Sequence, residues 1–250
     1  MTGRIRKTDV PEIAVVAALL VLCGAGTWLY NVVLGYADVQ YVWLADAFLR
    51  GRLDIPFELL QRTSFMDTVL RGGRYYWPLG PLPAVLFMPA VAVFGQQRLV
   101  QGVGQAAFAV CAFALAYALA RRERFSWLDA AWLATAFCFG SIVIGVIDIG
   151  MPWHIANLLT VAGMLGALVE WKGCNRPVAV GAWLAFAVAA RPQAAVVAVF
   201  FFLHDVIKAG FRPPAIRRLA LMAAPLALMA ALLGAYNAAR FGSPFDTGQR

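Results

Sequence analysis

Five mainly apolar runs of roughly twenty residues, near 11–34, 99–120, 127–147, 153–170 and 218–239, constrain this chain more than any other feature. A helix of that length rises about 30 Å, the thickness of a bilayer's hydrocarbon core. The runs are apolar all round, so in water they would lack the polar face that a surface helix needs. Composition agrees, with 62% of residues hydrophobic and only 14% charged. A soluble chain carries about 25% charged residues. The formal net charge of +8 would suggest nucleic acid in a soluble domain. Here Lys and Arg sit between the apolar runs, as topology signals do, so membrane lipids are the expected surroundings and nucleic acid is not an expected partner. Cys23, Cys111, Cys138 and Cys174 are isolated, without metal-ligand spacing or a disulfide framework, and read as small apolar residues.

The apolar run from Ile13 to Leu34 is longer than a signal-peptide core and is followed by no small-residue cleavage site. It reads as an uncleaved first span behind a basic tail. Three further runs are shorter: 81–95, with three prolines, and 178–190 and 192–206, split at Arg191-Pro192. Orientation decides how they count. Basic clusters at Arg4/Arg6/Lys7, Arg121/Arg122/Arg124, Lys172/Arg176 and Lys208/Arg212/Arg217/Arg218 all belong in the cytoplasm by the positive-inside rule. They do so together if 81–95 stays in the outer interface and both halves of 178–206 cross. The expectation is an all-α membrane protein with about seven transmembrane helices and a cytoplasmic N-terminus. It forms one membrane domain over 1–250, the N-terminal part of a longer protein, with an outer-loop subdomain over 35–97.

That loop carries many ionisable groups for a segment beside a bilayer, which marks it as the functional part. Asp38 is placed to N-cap a helix over 39–50, where Tyr41, Leu44 and Phe48 share a face and Gly51 ends it. Asp54 before Pro56 predicts a second short helix. Met66–Arg71 and Arg74–Trp77 flank Gly72-Gly73 and predict a small hairpin.

Five stretches follow one another in a telling order: Asp38 with LADAFLRGRLDI, GRYYWPLGPLPAVLFMPAVAVFG, RLVQ…ALARRERF, AFAVAARPQAAVVAVFFF and the terminal YNAARFGSPFDTGQR. As a set they resemble polytopic membrane glycosyltransferases of the GT-C class, relatives of mannosyl- and arabinosyltransferases. Where those proteins often carry two adjacent acids at the start of the first loop, this chain has Asp38 followed by Val39 and Gln40. The resemblance implies transfer of a sugar from a polyprenyl-phosphate donor to a glycan, lipid or protein acceptor at the outer face. It also implies a multi-pass protein of the bacterial inner (plasma) membrane; no metal or cofactor is expected, because no Gly-rich phosphate loop or zinc motif appears.

Such chemistry needs a base for the acceptor hydroxyl. Asp38, at the lipid–water boundary, is the first candidate and Asp46 the second, because partial desolvation raises a carboxyl's pKa into a useful range. Asp38 as a plain helix cap is the alternative; Asp54, Glu58 and Asp67 read as solvated charges or caps. A lipid-phosphate leaving group needs cations, and Arg71, Arg74, Arg98 and Arg191 are the candidates. Arginines at helix ends also snorkel to headgroups without a specific ligand. Arg191 stands out, because it interrupts an apolar stretch beside a helix-breaking proline. Tyr75 and Tyr76, with Trp77, suit either sugar stacking or an interfacial aromatic belt. His154 suits hydrogen bonding at a cavity rim, since one His and one acid make no metal site. Two other readings stand beside the enzyme: a transporter or flippase for a lipid-linked substrate, and a non-catalytic membrane assembly subunit.

Overall fold

The structure, a computed structural model, describes residues 10–33, 39–60, 68–96, 101–148, 151–210 and 212–248. The elements in order are α1 (Val10–Val33), α2 (Gln40–Leu49), α3 (Phe57–Leu60), a hairpin of β1 (Val69–Arg71) and β2 (Arg74–Tyr76), α4 (Leu82–Phe94), α5 (Gln101–Arg122), α6 (Trp127–Phe139) and α7 (Val143–Asp148). Then come α8 (Pro152–Lys172), α9 (Pro177–Ala190), a 3-10 turn at Pro192–Ala194, α10 (Ala195–Ala209) and α11 (Pro213–Phe241).

Among the described residues, four helices are long and apolar enough to cross a membrane: α1, α5, α8 and α11. The expected seven spans meet the length test only in these four. Helices α6, α9 and α10 have 13, 14 and 15 residues, so they rise only about 20–22 Å each. One shortfall has a clear cause. The run 127–147 was expected to form one span, but it breaks at Gly140–Ile142, because Ser141 Oγ donates to the Phe137 carbonyl (2.5 Å) and accepts from the Val143 amide (3.2 Å). Beyond the break, the fully buried Gln105 of α5 donates to the carbonyls of Val146 (2.8 Å) and Ile147 (2.7 Å). Irregular backbone at membrane depth persists where a side chain satisfies it in this way.

The basic clusters in the described residues meet at one end of the bundle. Glu12 of α1 accepts from Tyr117 (2.6 Å) and faces Arg121 (3.6 Å). Lys172 pairs with Glu123 (2.7 Å), and Arg218 reaches Asp205 (2.6 Å) and the Asn175 carbonyl (3.0 Å). The opposite end holds the loop elements: Asn31 lies against Gly102, Arg191 donates to the Trp153 carbonyl, and Arg240 donates to the Trp77 carbonyl. Among the described residues, the four long helices α1, α5, α8 and α11 each run from one end to the other. Helices α9 and α10 form a hairpin with its apex, Arg191-Pro192, at the loop end. Small residues let these helices approach closely: Gly163 faces Ala187, Gly166 faces the Trp183 ring, and Gly181 abuts the Met222 carbonyl.

The run 81–95 is as short as expected. It forms the 13-residue α4 with Pro89 inside. The residues flanking α4, Gly80 against the end of α9 and Gln96 beside Asp46 and Arg52, both stay at the loop end. Helix α2 departs from the expected one-sided interfacial helix. Tyr41, Val42, Leu44 and Ala45 are wholly buried and Trp43 nearly so, packed against Ile55, Trp77, Ala84, Phe87, Ile155 and Ala190. It is a wedge driven into the loop end of the bundle, held at its start by the Tyr41 amide donating to the buried Gln101 Oε1 (2.6 Å). Its N-cap is Val39, one residue later than expected, with no side-chain cap. Asp38 lies outside the described residues.

Candidate functional site

The polar side chains of the loop end are placed by three local devices. The hairpin turns on Gly72 (φ 58°) and Gly73 (φ 74°), left-handed values that favour glycine, with Leu70 opposite Tyr75 and Arg71 opposite Arg74. Strand alternation then sends Tyr75 and Tyr76 to opposite faces. Tyr75 stacks on Phe57 (ring centroids 5.6 Å, 26°) and its carbonyl accepts from the Ile55 amide (2.8 Å). Tyr76 turns inward with its ring edge-on to Phe241 (5.5 Å). The following residues lock the hairpin to the bundle. Trp77 is completely buried beside Tyr41 (6.1 Å, edge-on), and Gly80 lies on the carbonyls of Ala189 and Ala190 where no Cβ fits.

Between the turn that follows α2, the hairpin and the end of α11 opens a cleft of about 460 Å³ lined by Gly51, Arg52, Leu53, Asp54, Arg74, Tyr76 and Ala239. Asp54 is the one acid in its lining. It is only 7% exposed and accepts from Arg52 through both oxygens, at 2.5 and 3.4 Å. The Arg52 guanidinium holds the Asp54 carboxyl below the ordinary carboxylate range, against the opposing effect of burial; Arg74 adds to the lowering. The sequence reading of Asp54 as a solvated charge or helix cap is therefore corrected: α3 starts only at Phe57, and Asp54 is a buried ion-pair partner. A smaller cleft of about 220 Å³ adjoins it, lined by Asp46, Ala47, Arg50, Arg52, Pro56, Glu58 and Gln96. There Asp46 pairs with Arg50 (2.9 Å), one helical turn along α2. Arg52 lines both clefts.

Deeper in the loop end lies a second set of charges. Arg191 donates from Nη2 to the Trp153 carbonyl (3.0 Å), while its Nε is shielded from solvent with no partner. Arg240, 5% exposed, donates to the Trp77 carbonyl (2.6 Å) and Asn237 Oδ1 (2.7 Å) and lies over the Tyr236 ring (3.8 Å). Its Nε is likewise shielded and unpartnered. Among the described residues neither guanidinium pairs with a carboxylate. Tyr41 and Tyr236 connect the two. Tyr41 feels Arg191 and Tyr236 electrostatically, Tyr236 feels Arg240, and both hydroxyls are buried. Burial pushes the Tyr41 phenol above its ordinary pKa, opposed by Trp77 and Arg191, so it stays protonated.

Beside these arginines runs an apolar groove of about 560 Å³. Val188, Pro192 and Ala195 form one wall, the Ala230–Ala238 stretch of α11 the other, and Pro244, Phe245 and Thr247 the rim. Its polar end is Asn237, the residue that holds Arg240. The arginines themselves do not line the groove; it approaches them through Pro192, next to Arg191, and through Asn237.

The expected site residues are distributed unevenly over this geometry. Arg74 and Tyr76 line the larger cleft, Asp46 the smaller, and Arg191 the buried arginine set. Tyr75 faces away from the cleft, onto Phe57. Arg71 lies elsewhere, donating to the Phe241 carbonyl (3.2 Å) and facing Asp246 (3.7 Å), which ties the hairpin to the segment after α11. His154 stands in the first turn of α8 with its ring edge-on to Trp153 (6.4 Å), whose carbonyl receives Arg191. Asp38 and Arg98 lie outside the described residues. Arg52, Asp54, Tyr236 and Arg240 are additions. Arg240 carried a legible signal, a charge in the last turn of an apolar run. Asp54 carried a fainter one, an Arg two residues earlier between Gly51 and Pro56. No family model, characterised protein or solved structure matches the chain.

Proposed function

We propose that this protein is a glycosyltransferase of the GT-C type. It moves a sugar from a polyprenyl-phosphate donor to an acceptor at the outer face of the membrane. The observation that carries the reading is the pair of buried Arg240 and part-buried Arg191, whose Nε atoms are shielded and which pair with no carboxylate among the described residues, close to an apolar groove. A buried charge without a counter-ion costs several kcal/mol, so such a pair is built for an anion. An anion whose tail fills an apolar groove is a lipid phosphate. Guanidinium donors that stabilise the phosphate more as it leaves than as it binds lower the barrier to breaking its bond to the anomeric carbon. The acceptor hydroxyl oxygen attacks that carbon from the opposite side, the carbon–phosphate oxygen bond breaks, and a carboxylate takes the hydroxyl proton. Asp38, on the segment entering α2, is the first candidate for that base and Asp46, in the smaller cleft, the second.

In this reading the chain crosses the bilayer of the bacterial inner membrane along α1, α5, α6–α7, α8, α9, α10 and α11, with the basic end in the cytoplasm. The thinner α9–α10 hairpin brings Arg191 below the outer surface, where the lipid phosphate lies. The test is a proteoliposome assay with labelled polyprenyl-phosphate sugars and saccharide acceptors. Label appearing in the acceptor is the expected result. Broken helices meeting at Arg191-Pro192 also suit a transporter for the same lipid. Label that crosses the bilayer still attached to its lipid would favour that second reading.

A further inference from the structure

We propose that the cleft around Asp54 is a separate binding site for a neutral saccharide. Its lining mixes groups of every hydrogen-bonding kind: Arg52 and Arg74 donate, Asp54 accepts, and the Tyr76 hydroxyl does both. The lining pairs one guanidinium with the carboxylate and leaves a second guanidinium beside them, so it carries neither the open cations of an anion site nor the open acids of a cation site. Sugar hydroxyls, each both donor and acceptor, match such a mixture. The polar groups are also held in place. Asp54 is fixed by Arg52 through both oxygens, and Tyr76 by the ring of Phe241. Arg74 is exposed, and among the described residues its side chain makes no hydrogen bond or ion pair, only a longer-range electrostatic interaction with Asp54, so it can turn toward a ligand. The volume of about 460 Å³ falls within the range of ~300–1,000 Å³ typical of small-molecule sites.

The cleft is distinct from the buried arginines. It opens beside the hairpin and the turn after α2, and none of its lining residues belongs to the apolar groove. The inference deepens the proposed function and rests on it for one point only, the role of the saccharide as acceptor. Binding itself requires no lipid.

The experiment uses the full chain in nanodiscs. It is passed over immobilised neutral oligosaccharides derived from mannan, arabinan and galactan, and over uronic-acid and sulfated counterparts. Wild-type protein is expected to be retained on at least one neutral saccharide and less on its acidic counterparts. Asp54→Asn and Arg74→Gln are each expected to cut retention at least tenfold. Because Arg74 is exposed and makes no hydrogen bond or ion pair among the described residues, Arg74→Gln should keep a melting profile close to wild type at neutral pH, which separates loss of binding from loss of fold. Retention of no neutral saccharide, preference for the acidic ones, or full retention of Arg74→Gln would overturn the assignment. No lipid phosphate is present, so failure of the proposed donor to bind leaves this result untouched.

Discussion

A guanidinium turned away from water normally has a carboxylate beside it; among the described residues, part-buried Arg191 and buried Arg240 have carbonyls, an amide and aromatic rings instead. These partners hold the side chains in place but do not neutralise them. Arg191→Leu removes one hydrogen bond, worth about 1 kcal/mol net, together with the cost of burying the charge. Insertion and yield should therefore match wild type while affinity for a lipid phosphate falls at least tenfold. Arg191→Lys keeps the charge but loses the planar fork, and should weaken the same binding less. Asp54 makes a prediction about pH. Its folded pKa is lowered by Arg52, so its stabilising contribution is fully present above the unfolded value of about 3.9 and is lost as pH falls toward the folded one. The melting temperature should drop below about pH 4, and Asp54→Asn should flatten that part of the profile. A variant profile as steep as wild type would remove Asp54 from the account.

At the scale of elements, the loop end depends on close backbone approach. Gly80 rests on the two carbonyls that end α9, next to Arg191, and a methyl group there has no room. Gly80→Ala should cost about 1–3 kcal/mol, the range for overpacking, and loosen the Arg191 apex with it. Gly26, in α1 with nothing near its Cβ position, is the control: Gly26→Ala should leave the melting temperature unchanged or raise it. Equal effects at the two positions would contradict the docking of the loop on α9. Sequence pattern made α1, α5, α8 and α11 legible because run length alone decides them. The hairpin was legible because Gly72-Gly73 has few other uses. The break at Ser141 was not, since one hydroxyl in an apolar run looks like an ordinary helical residue until its hydrogen bonds are seen. Nor was the burial of α2, whose surroundings come from Trp77, Ile155 and Ala190, distant in the chain. The Asp54–Arg52 pair escaped for a related reason: the turn after Gly51 decides whether those side chains meet.

For the whole molecule, the gathering of the basic clusters at one end and of the hairpin, α2 and the two clefts at the other gives the bundle a polarity. That polarity is testable with a residue already present. Cys174 is exposed at the basic end, and Arg74 is exposed at the loop end. In inside-out vesicles an impermeant thiol reagent should label Cys174, and Arg74→Cys in a background lacking Cys174 should resist it. Labelling of both from one side would contradict seven crossings. The central claim is that the buried arginines read the phosphate of a lipid, and native mass spectrometry of the protein with polyprenyl phosphate and the matching polyprenol tests it most directly. Wild-type protein should retain the phosphate at least tenfold more than the alcohol, and Arg191→Leu with Arg240→Leu should abolish that preference. Equal retention of phosphate and alcohol by the wild type would contradict it.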